Sequence, residues 1–170
     1  MNNLLAWIAL YGFAVTIPST YLDSQDRSTI SKNGMTISWY HHKDRVYFEM
    51  EAPCPGWVAI GFNESAALPG TYLVMGNVVN GTATVTEHHT FKPGDYRALP
   101  AIGAGNRVED VSGSQTDNKT IIHFSLPVDG EDKYRKNLSK DLEYSLLIAF
   151  SREDDFQHHS IMRTSTTIKL

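Results

Sequence analysis

Residues 36–51 read TISWYHHKDRVYFEME, and this stretch decides the class of fold. In its first half the apolar residues Ile37 and Trp39 alternate with smaller or more polar ones. In its second half the apolar residues again occupy every second position: Val46, Phe48 and Met50. A period of two is that of a β-strand with one buried face. The polar residues 41–44 between the halves are typical of a turn, so the stretch predicts a β-hairpin.

The same signals continue to the C-terminus. Residues 57–62 (WVAIGF) are apolar apart from one glycine, which indicates a strand buried on both faces. Asn80-Gly81 is a strong two-residue hairpin signal between two further strand segments. Strands are predicted on either side of it and later in the chain, at 72–79, 83–89, 120–126, 143–150 and 161–170. Many short strands without a sustained helical period predict an all-β fold, an antiparallel β-sandwich.

Two segments lack strand signals. Residues 92–118 are rich in Gly, Pro, Asp and Asn, and we expect them to form a long loop. Residues 129–140 are polar, and we expect them to hold one short helix.

The composition narrows the class of protein. The chain has 170 residues, which suits one domain, and 15 Lys+Arg against 19 Asp+Glu give a net charge of −4. Binding to phosphates requires clustered Lys and Arg, and without a basic run the sequence predicts no nucleic-acid partner. The single cysteine, Cys54, excludes an intramolecular disulfide and any zinc site built from two or more thiolates of this chain.

The N-terminus indicates export. Residues 4–17 (LLAWIALYGFAVTI) are apolar and uncharged, but shorter than the roughly 20 residues of a transmembrane helix. They fit the apolar region of a secretory signal, with cleavage after Ser24 or Ser19. Residues 1–24 are therefore predicted to be a signal peptide and residues 25–170 a single sandwich domain, secreted, periplasmic or at the cell surface, with no transmembrane segment after cleavage. The alternatives are an N-terminal core element or an uncleaved anchor.

Histidine is the unusual feature of the composition. Six of the seven histidines occur as adjacent pairs, at 41–42, 88–89 and 158–159. Neighbours on a strand point to opposite faces, so one member of a pair can face inward. The first two pairs lie in a predicted turn and at a strand end, where polar residues are usual, and we interpret them as surface residues.

The third pair, His158-His159, closely follows Asp154 and Asp155 between two apolar strands. A neutral imidazole is a good ligand for a metal or for haem iron, and a carboxylate can orient it by accepting its second N–H. His158 or His159 is thus a candidate haem-iron ligand. Asp154 and Asp155 are candidate ligands of a divalent ion. The alternative is a solvated loop with surface ion pairs.

Aromatic residues support a rival interpretation. Five of them lie on or beside predicted strands and form either core or a carbohydrate-binding platform: Trp39, Tyr40, Tyr47, Trp57 and Tyr72. Catalytic motifs are scarce, with no phosphate-binding glycine loop, dinucleotide fingerprint or nucleophile elbow. We therefore do not expect an enzyme, and we interpret Cys54 as a loop residue and not as a nucleophile.

Several segments of the chain resemble the motif blocks of a known family. Residues 56–63 (GWVAIGFN) resemble the signature strand of DOMON domains, the sandwich modules named after the N-terminal region of dopamine β-monooxygenase. The later blocks of the family follow in the expected order, at 68–76 (LPGTYLVMG), 124–127 (FSLP) and 147–151 (LIAFS). The resemblance covers residues 28–170. It implies an extracytoplasmic, immunoglobulin-like β-sandwich of about ten strands that binds b-type haem for electron transfer, or binds sugars.

The resemblance also implies site residues. Haem-binding members use a Met just before the Gly of the second block and a His near the last strand. The His position falls on His159, or on His158 with a shift of one residue, whereas the Met position falls on Leu68, which has no donor atom. Met75 lies seven residues further on, and in a regular strand an odd spacing puts it on the opposite face from Leu68, so it could ligate only with a shifted register. Five-coordinate haem through His159, a different second ligand, or no cofactor are the remaining alternatives. The expected pocket neighbours are Leu68, Trp57, Tyr72 and Met75.

We therefore expect a secreted or periplasmic DOMON-type module that binds a small hydrophobic ligand. Haem is the candidate cofactor, electron transfer or sensing the candidate role, and a redox protein the candidate partner. The alternative is a carbohydrate-binding or surface-interaction module without a redox cofactor. A metal-dependent enzyme built on His158, His159 and a carboxylate ranks last, because no nucleophile or general base stands in a defined arrangement.

Overall fold

The computed structural model describes residues 26–130 and 132–170, and the predicted signal peptide lies outside these residues. Within them the chain forms eleven strands and one short 3-10 helix, Leu99–Ile102. The strands are β1 (Ser28–Lys32), β2 (Met35–His42), β3 (Arg45–Ala52), β4 (Val58–Asn63), β5 (Tyr72–Val79), β6 (Thr82–Lys92), β7 (Asp95–Ala98), β8 (Glu109–Thr116), β9 (Lys119–Pro127), β10 (Glu143–Phe150) and β11 (Met162–Lys169). In this part of the chain no helix is long and apolar enough to cross a membrane.

The strands form two antiparallel sheets. Sheet A has the order β1-β2-β3-β9-β8, and sheet B has the order β11-β10-β4-β5-β6-β7. The predicted hairpin is the β2–β3 pair, in which Trp39 lies opposite Phe48. The expectation of an all-β, immunoglobulin-like sandwich of about ten strands is confirmed.

The core lies between the two sheets. Phe48 of sheet A packs against Phe62 of sheet B with ring centroids 5.6 Å apart. The apolar positions of the hairpin are all buried in this core: Ile37, Trp39, Val46, Phe48 and Met50. Strand β4 is buried at every position, as its unbroken apolar sequence predicts. The side chains on one face of β4 pack into the core, and those on the other face are therefore covered by other residues.

The two segments without strand signals differ from the predictions. Residues 92–118 are not a long loop, because they contain β7 and β8. Strand β8 (EDVSGSQT) is polar and mostly exposed, but its backbone pairs with β9 at the edge of sheet A. Backbone pairing requires no apolar side chains, so the sequence pattern does not reveal such an edge strand. Residues 129–140 form no helix where they are described.

A buried ion pair holds the second of these segments in place. Glu87 of β6 points between the sheets and is fully buried, and Arg135 donates to its carboxylate with an Nε–Oε1 distance of 2.6 Å. Arg135 also donates to the carbonyls of Ala104 and Gly105. A buried charge is costly unless it is paired. The pair therefore fixes the irregular segments on both sides of β8 and β9 against sheet B.

Candidate ligand-binding site

The outer face of sheet B is apolar at its centre, unlike a sheet face that meets only water. Trp57, Ala59 and Met75 are 4%, 2% and 2% exposed and form a cluster apart from the main core. Four partly buried residues pack against this cluster: Leu73, Tyr96, Ala149 and Phe156. The second face of β4 is thus covered by side chains from β5, β7 and β10 and from the chain beyond β10.

The covering segment is the β10–β11 loop, residues 151–161. Its backbone is bonded to Trp57 in both directions, since Trp57 N donates to Glu153 O and Ser151 N donates to Trp57 O, at 3.0 and 2.9 Å. The Tyr96 hydroxyl donates to the Phe156 carbonyl. The start of the loop is therefore tied closely to the strand that carries the apolar cluster.

Gly56 makes this close approach feasible. Its φ is +99°, in the region that favours glycine, and a Cβ there would lie 2.5 Å from Ser151 O and Arg152 C. Both contacts are with backbone, which cannot swing aside. The glycine that opens the family signature thus has a local physical role.

A pocket of about 420 Å³ lies between this apolar floor and the β10–β11 loop. Its lining is mostly apolar and includes Trp57, Ala59, Leu68, Leu73, Met75, Tyr96, Leu147 and Ala149. Polar lining comes from Thr71, Thr90, Gln157, His158, His159, Ser160 and Arg163. A concave apolar site with a few polar groups is the usual form of a small-molecule site.

Both histidines of the third pair line this pocket, and both are exposed. Their backbones are anchored: His158 N donates to Asp155 O, and Ser151 Oγ donates to His159 O. Within the described part of the chain neither imidazole ring has a hydrogen-bond partner. Each ring nitrogen is therefore available to a ligand.

Leu68 and Met75 line the same pocket, although a regular strand would place them on opposite faces. The strand is not regular over this span, because β5 begins only at Tyr72. Leu68 lies in the preceding turn, where Thr71 N donates to Leu68 O and Gly70 has a φ of +80°. The expectation of opposite faces holds only for a regular strand and therefore does not apply to these two residues.

Tyr72 lies on the other side of sheet B and does not line the pocket. It is 2% exposed within the core cluster, and its hydroxyl donates to Glu87 at 2.7 Å. Burial raises the pKa of Tyr72 well above its ordinary value, with the nearby Glu87 acting in the same direction. As the first residue of β5, Tyr72 faces inward together with Val74, whereas Leu73 and Met75 face the pocket.

The other candidate residues have different positions. Asp155 accepts from Gln157 N, and Asp154 contacts Asn77 beside the loop; neither carboxylate lines the pocket. No group of three His, Cys, Asp or Glu side chains suited to a metal occurs in residues 26–130 and 132–170. Trp39 and Trp57 are each 4% exposed, so neither can form an exposed sugar-binding platform.

Two other nucleophilic or basic groups are buried away from the pocket lining. The Cys54 thiol donates to Ser151 O, and burial raises its pKa, which favours the unreactive thiol form. His88 is 4% exposed and packs edge-on against Tyr96 and Phe156, so the expected surface position is wrong for this residue, and burial lowers its pKa. His88 therefore supports the covering of sheet B, whereas Cys54 belongs to the core between the sheets.

Several lining residues were missed by sequence reasoning. Leu147 and Ala149 belong to β10 (EYSLLIAF), whose apolar residues at successive positions signal a strand covered on both faces. Arg163 and Tyr96 carried no sequence signal, because only the sheet order brings β11 and β7 to the pocket. The Trp57 indole N–H is buried and has no acceptor among the described residues. Trp57 lines the pocket, but its N–H is closed to solvent and does not reach the pocket surface.

Comparisons with known proteins agree with this architecture. The family model described as DOMON domain matches residues 31–151. A comparison with curated proteins finds no significant match. Among solved structures, the chain is similar to the cytochrome b domain of pyranose dehydrogenase from Coprinopsis cinerea, with 11% identity, a TM-score of 0.60, and 79% of this chain and 76% of that chain covered. It is also similar to the cytochrome domain of Myriococcum thermophilum cellobiose dehydrogenase, with 9% identity, a TM-score of 0.54, and 85% of this chain and 81% of that chain covered. At these identities the similarity concerns the fold.

Proposed function

Because this chain belongs to the DOMON domain family, we propose that it is an exported ligand-binding module that holds b-type haem in the pocket on the outer face of sheet B. Its role is electron transfer or redox sensing, and it is not an enzyme. The observation that carries the proposal is that one apolar pocket is lined by two histidines and a methionine, separated in sequence by about half the chain. Both solved relatives named above are described as cytochrome domains.

The lining residues fit a haem group chemically. Its apolar floor suits a flat macrocycle, and imidazole and thioether are among the side chains that ligate haem iron. The volume of about 420 Å³ falls within the range of about 300–1,000 Å³ usual for cofactor sites. The cationic Arg163 would suit the carboxylates that such a cofactor carries.

Each residue has a defined part in this proposal. His159, or His158 in its place, would be the iron ligand through a neutral ring nitrogen. Met75 would provide the second donor, because the family's methionine position is occupied by Leu68. Leu68 would act as an apolar wall that keeps water from the site. Bound haem would supply a one-electron redox couple, and the residues of this chain would bind, orient and shield it.

The test is the absorption spectrum of the purified chain titrated with haemin. We expect saturable binding at one equivalent with a Soret band shifted from that of free haemin. His159→Ala and His158→Ala are compared singly, and the true ligand is the one whose loss abolishes the shifted band. Met75→Leu, which keeps the apolar volume, should retain binding while changing the ligation bands of the reduced protein.

His123→Ala serves as the control, because His123 is a partly exposed histidine of β9 in sheet A, outside the pocket. A variant Leu68→Met tests whether the family position can accept a donor in this chain. If neither pocket histidine changes the spectrum, or if His123→Ala changes it as much, haem binding at this site is refuted.

Export is a separate part of the proposal. Cleavage after Ser24 would give a mature chain that begins at Gln25. Expression with the native leader, followed by intact mass measurement of the protein outside the cytoplasm, gives the start of the mature chain. Retention of residues 1–24 in a cytoplasmic product would contradict it.

A further inference from the structure

Two oxygen atoms beside the β10–β11 loop are buried and accept no hydrogen bond from the described residues: Asn77 Oδ1 and Asp154 Oδ1. Buried polar atoms are nearly always paired, and an unpaired one calls for a water or an ion. The two groups are in contact, since Asn77 Nδ2 donates to Asp154 O at 2.7 Å. Both orphaned oxygens therefore belong to one junction between β5 and the loop.

Rearranging the side-chain amide does not supply the missing donors. The NH₂ group of Asn77 is already used by the Asp154 carbonyl, so exchanging its nitrogen and oxygen would break that bond. The second oxygen of Asp154 has only a long contact of 3.4 Å from Gln115 Nε2. Within the described residues Asp154 has no ion pair. The acceptor Asp154 Oδ1 is therefore left without a donor among the described residues.

We propose that this junction binds a cation that prefers oxygen ligands, with Ca²⁺ as the probe. Asn77 Oδ1 and Asp154 Oδ1 would be the protein ligands. Both oxygens are closed to solvent in this structure, so the cation would enter as the loop shifts toward the groove that Asp154 borders together with Gln115 and Asp117, and water from that side would complete its coordination shell. Gln115 is not a ligand, because its oxygen already accepts from Gly56 N and the Thr120 hydroxyl.

The ligand set also fixes the strength of binding. A site with one carboxylate and one amide oxygen carries a single negative charge, and Ca²⁺ affinity increases with the number of charged ligands. With only two protein ligands we expect a Kd no tighter than roughly 10⁻³ M, the weak end of the range of extracellular Ca²⁺ modules. Such a site would be partly filled outside the cell and empty at cytosolic Ca²⁺ concentrations.

The position of the site gives it a structural consequence. Asn77 lies on the same face of β5 as Met75, two residues away, and Asp154 lies in the loop that carries His158 and His159. A cation between them fastens the loop to sheet B at one end of the pocket. The inference is independent of haem, because it rests on the two orphaned oxygens alone.

The experiment is a calorimetric titration of metal-free protein with CaCl₂, together with thermal unfolding in CaCl₂ and in EDTA. We expect a saturable heat and a melting temperature raised by roughly 5 to 10 °C when Ca²⁺ is about a hundred times Kd. Asp154→Asn should lose both responses. It should still fold, because its new NH₂ group can donate to Asn77 Oδ1 and replace the cation.

Glu153→Gln is the matched control, since it removes one negative charge from the adjacent exposed residue and leaves both orphaned oxygens in place. It should keep the wild-type Kd and melting shift. The proposal is overturned if Ca²⁺, Mg²⁺ and Na⁺ all fail to bind to the wild type, which would assign a water or a shared proton to the junction. It is also overturned if Asp154→Asn binds Ca²⁺ with the wild-type Kd.

Discussion

The buried pair Glu87–Arg135 allows a stability prediction that can be worked from the structure. Glu87→Ala removes the acceptor of three groups: the Tyr72 hydroxyl at 2.7 Å, Arg135 Nε at 2.6 Å, and the backbone N–H of Arg107. Arg135 keeps Asp132 as a partner, at 2.8 Å, but that carboxylate is partly exposed and already bonded to backbone N–H groups. The variant therefore leaves a buried cation only partly compensated.

Breaking a buried ion pair by removing one partner costs about 3–5 kcal/mol. Because Asp132 remains, we expect the low end of that range, about 3 kcal/mol, which is a large share of a typical stability of about 5–15 kcal/mol. The assay is urea unfolding followed by tryptophan fluorescence, since Trp39 and Trp57 are buried reporters. The free energy of unfolding is compared at an unchanged m-value.

The control is Glu64→Ala. This substitution also removes a glutamate that pairs with the segment after β9, since Glu64 Oε1 lies 3.1 Å from Lys136 Nζ. The Glu64 side chain, however, is 83% exposed. Exposed pairs contribute about 0–1 kcal/mol, so this variant should be nearly neutral. The double variant Glu87→Ala/Arg135→Met should be less destabilised than the sum of its single variants, because the uncompensated charge is gone. A loss below about 1 kcal/mol for Glu87→Ala, or additive single variants, would refute the reasoning.

Three further predictions concern residues that contact the β10–β11 loop. Gly56→Ala should lower the free energy of unfolding by more than about 2 kcal/mol and weaken ligand binding. Gly81→Ala is the control, because Gly81 also has a positive φ, +76°, but has open space around it; its strain should cost only about 1 kcal/mol. Urea unfolding compares the two variants. Burial lowers the pKa of His88 in the folded state, so the unfolded chain binds the proton first, and stability should fall as the pH drops below about 6.5. His88→Gln should flatten this dependence in unfolding curves measured from pH 7.5 to 5, and an unchanged slope would contradict it. Cys54 should react with a thiol reagent in the native state far more slowly than in urea, because it is 7% exposed and burial raises its pKa; equal rates would argue against the buried thiol.

The sequence predicted most of the fold because the informative strands have one or two buried faces. The alternation in β2 and β3 identified the hairpin, and Asn80-Gly81 identified the turn between β5 and β6. The alternation of apolar and polar residues did not predict a strand whose side chains are mostly exposed on both faces. Strand β8 is polar because it lies at a sheet edge, and its structure depends on the backbone of β9.

The candidate site could be predicted in its parts but not in its arrangement. The pairing of His158-His159 with acidic residues marked the loop, and the apolar runs of β4 and β10 marked strands with two covered faces. The shared pocket of Leu68 and Met75 could not be predicted, because the point at which β5 begins is set by a turn. Arg163 reaches the pocket through sheet order alone.

The sequence by itself determined the class of fold and the family, because side-chain periodicity and a short signature strand are local properties. It also marked the histidine loop as a chemically unusual segment. Only the tertiary structure decided that Tyr72 faces the core while Met75 faces a pocket, and that Glu87 is buried against Arg135. It also revealed the orphaned oxygens of Asn77 and Asp154. The physical reason is that burial and hydrogen-bond satisfaction depend on residues far apart in sequence, whose contacts exist only once the sheets have packed.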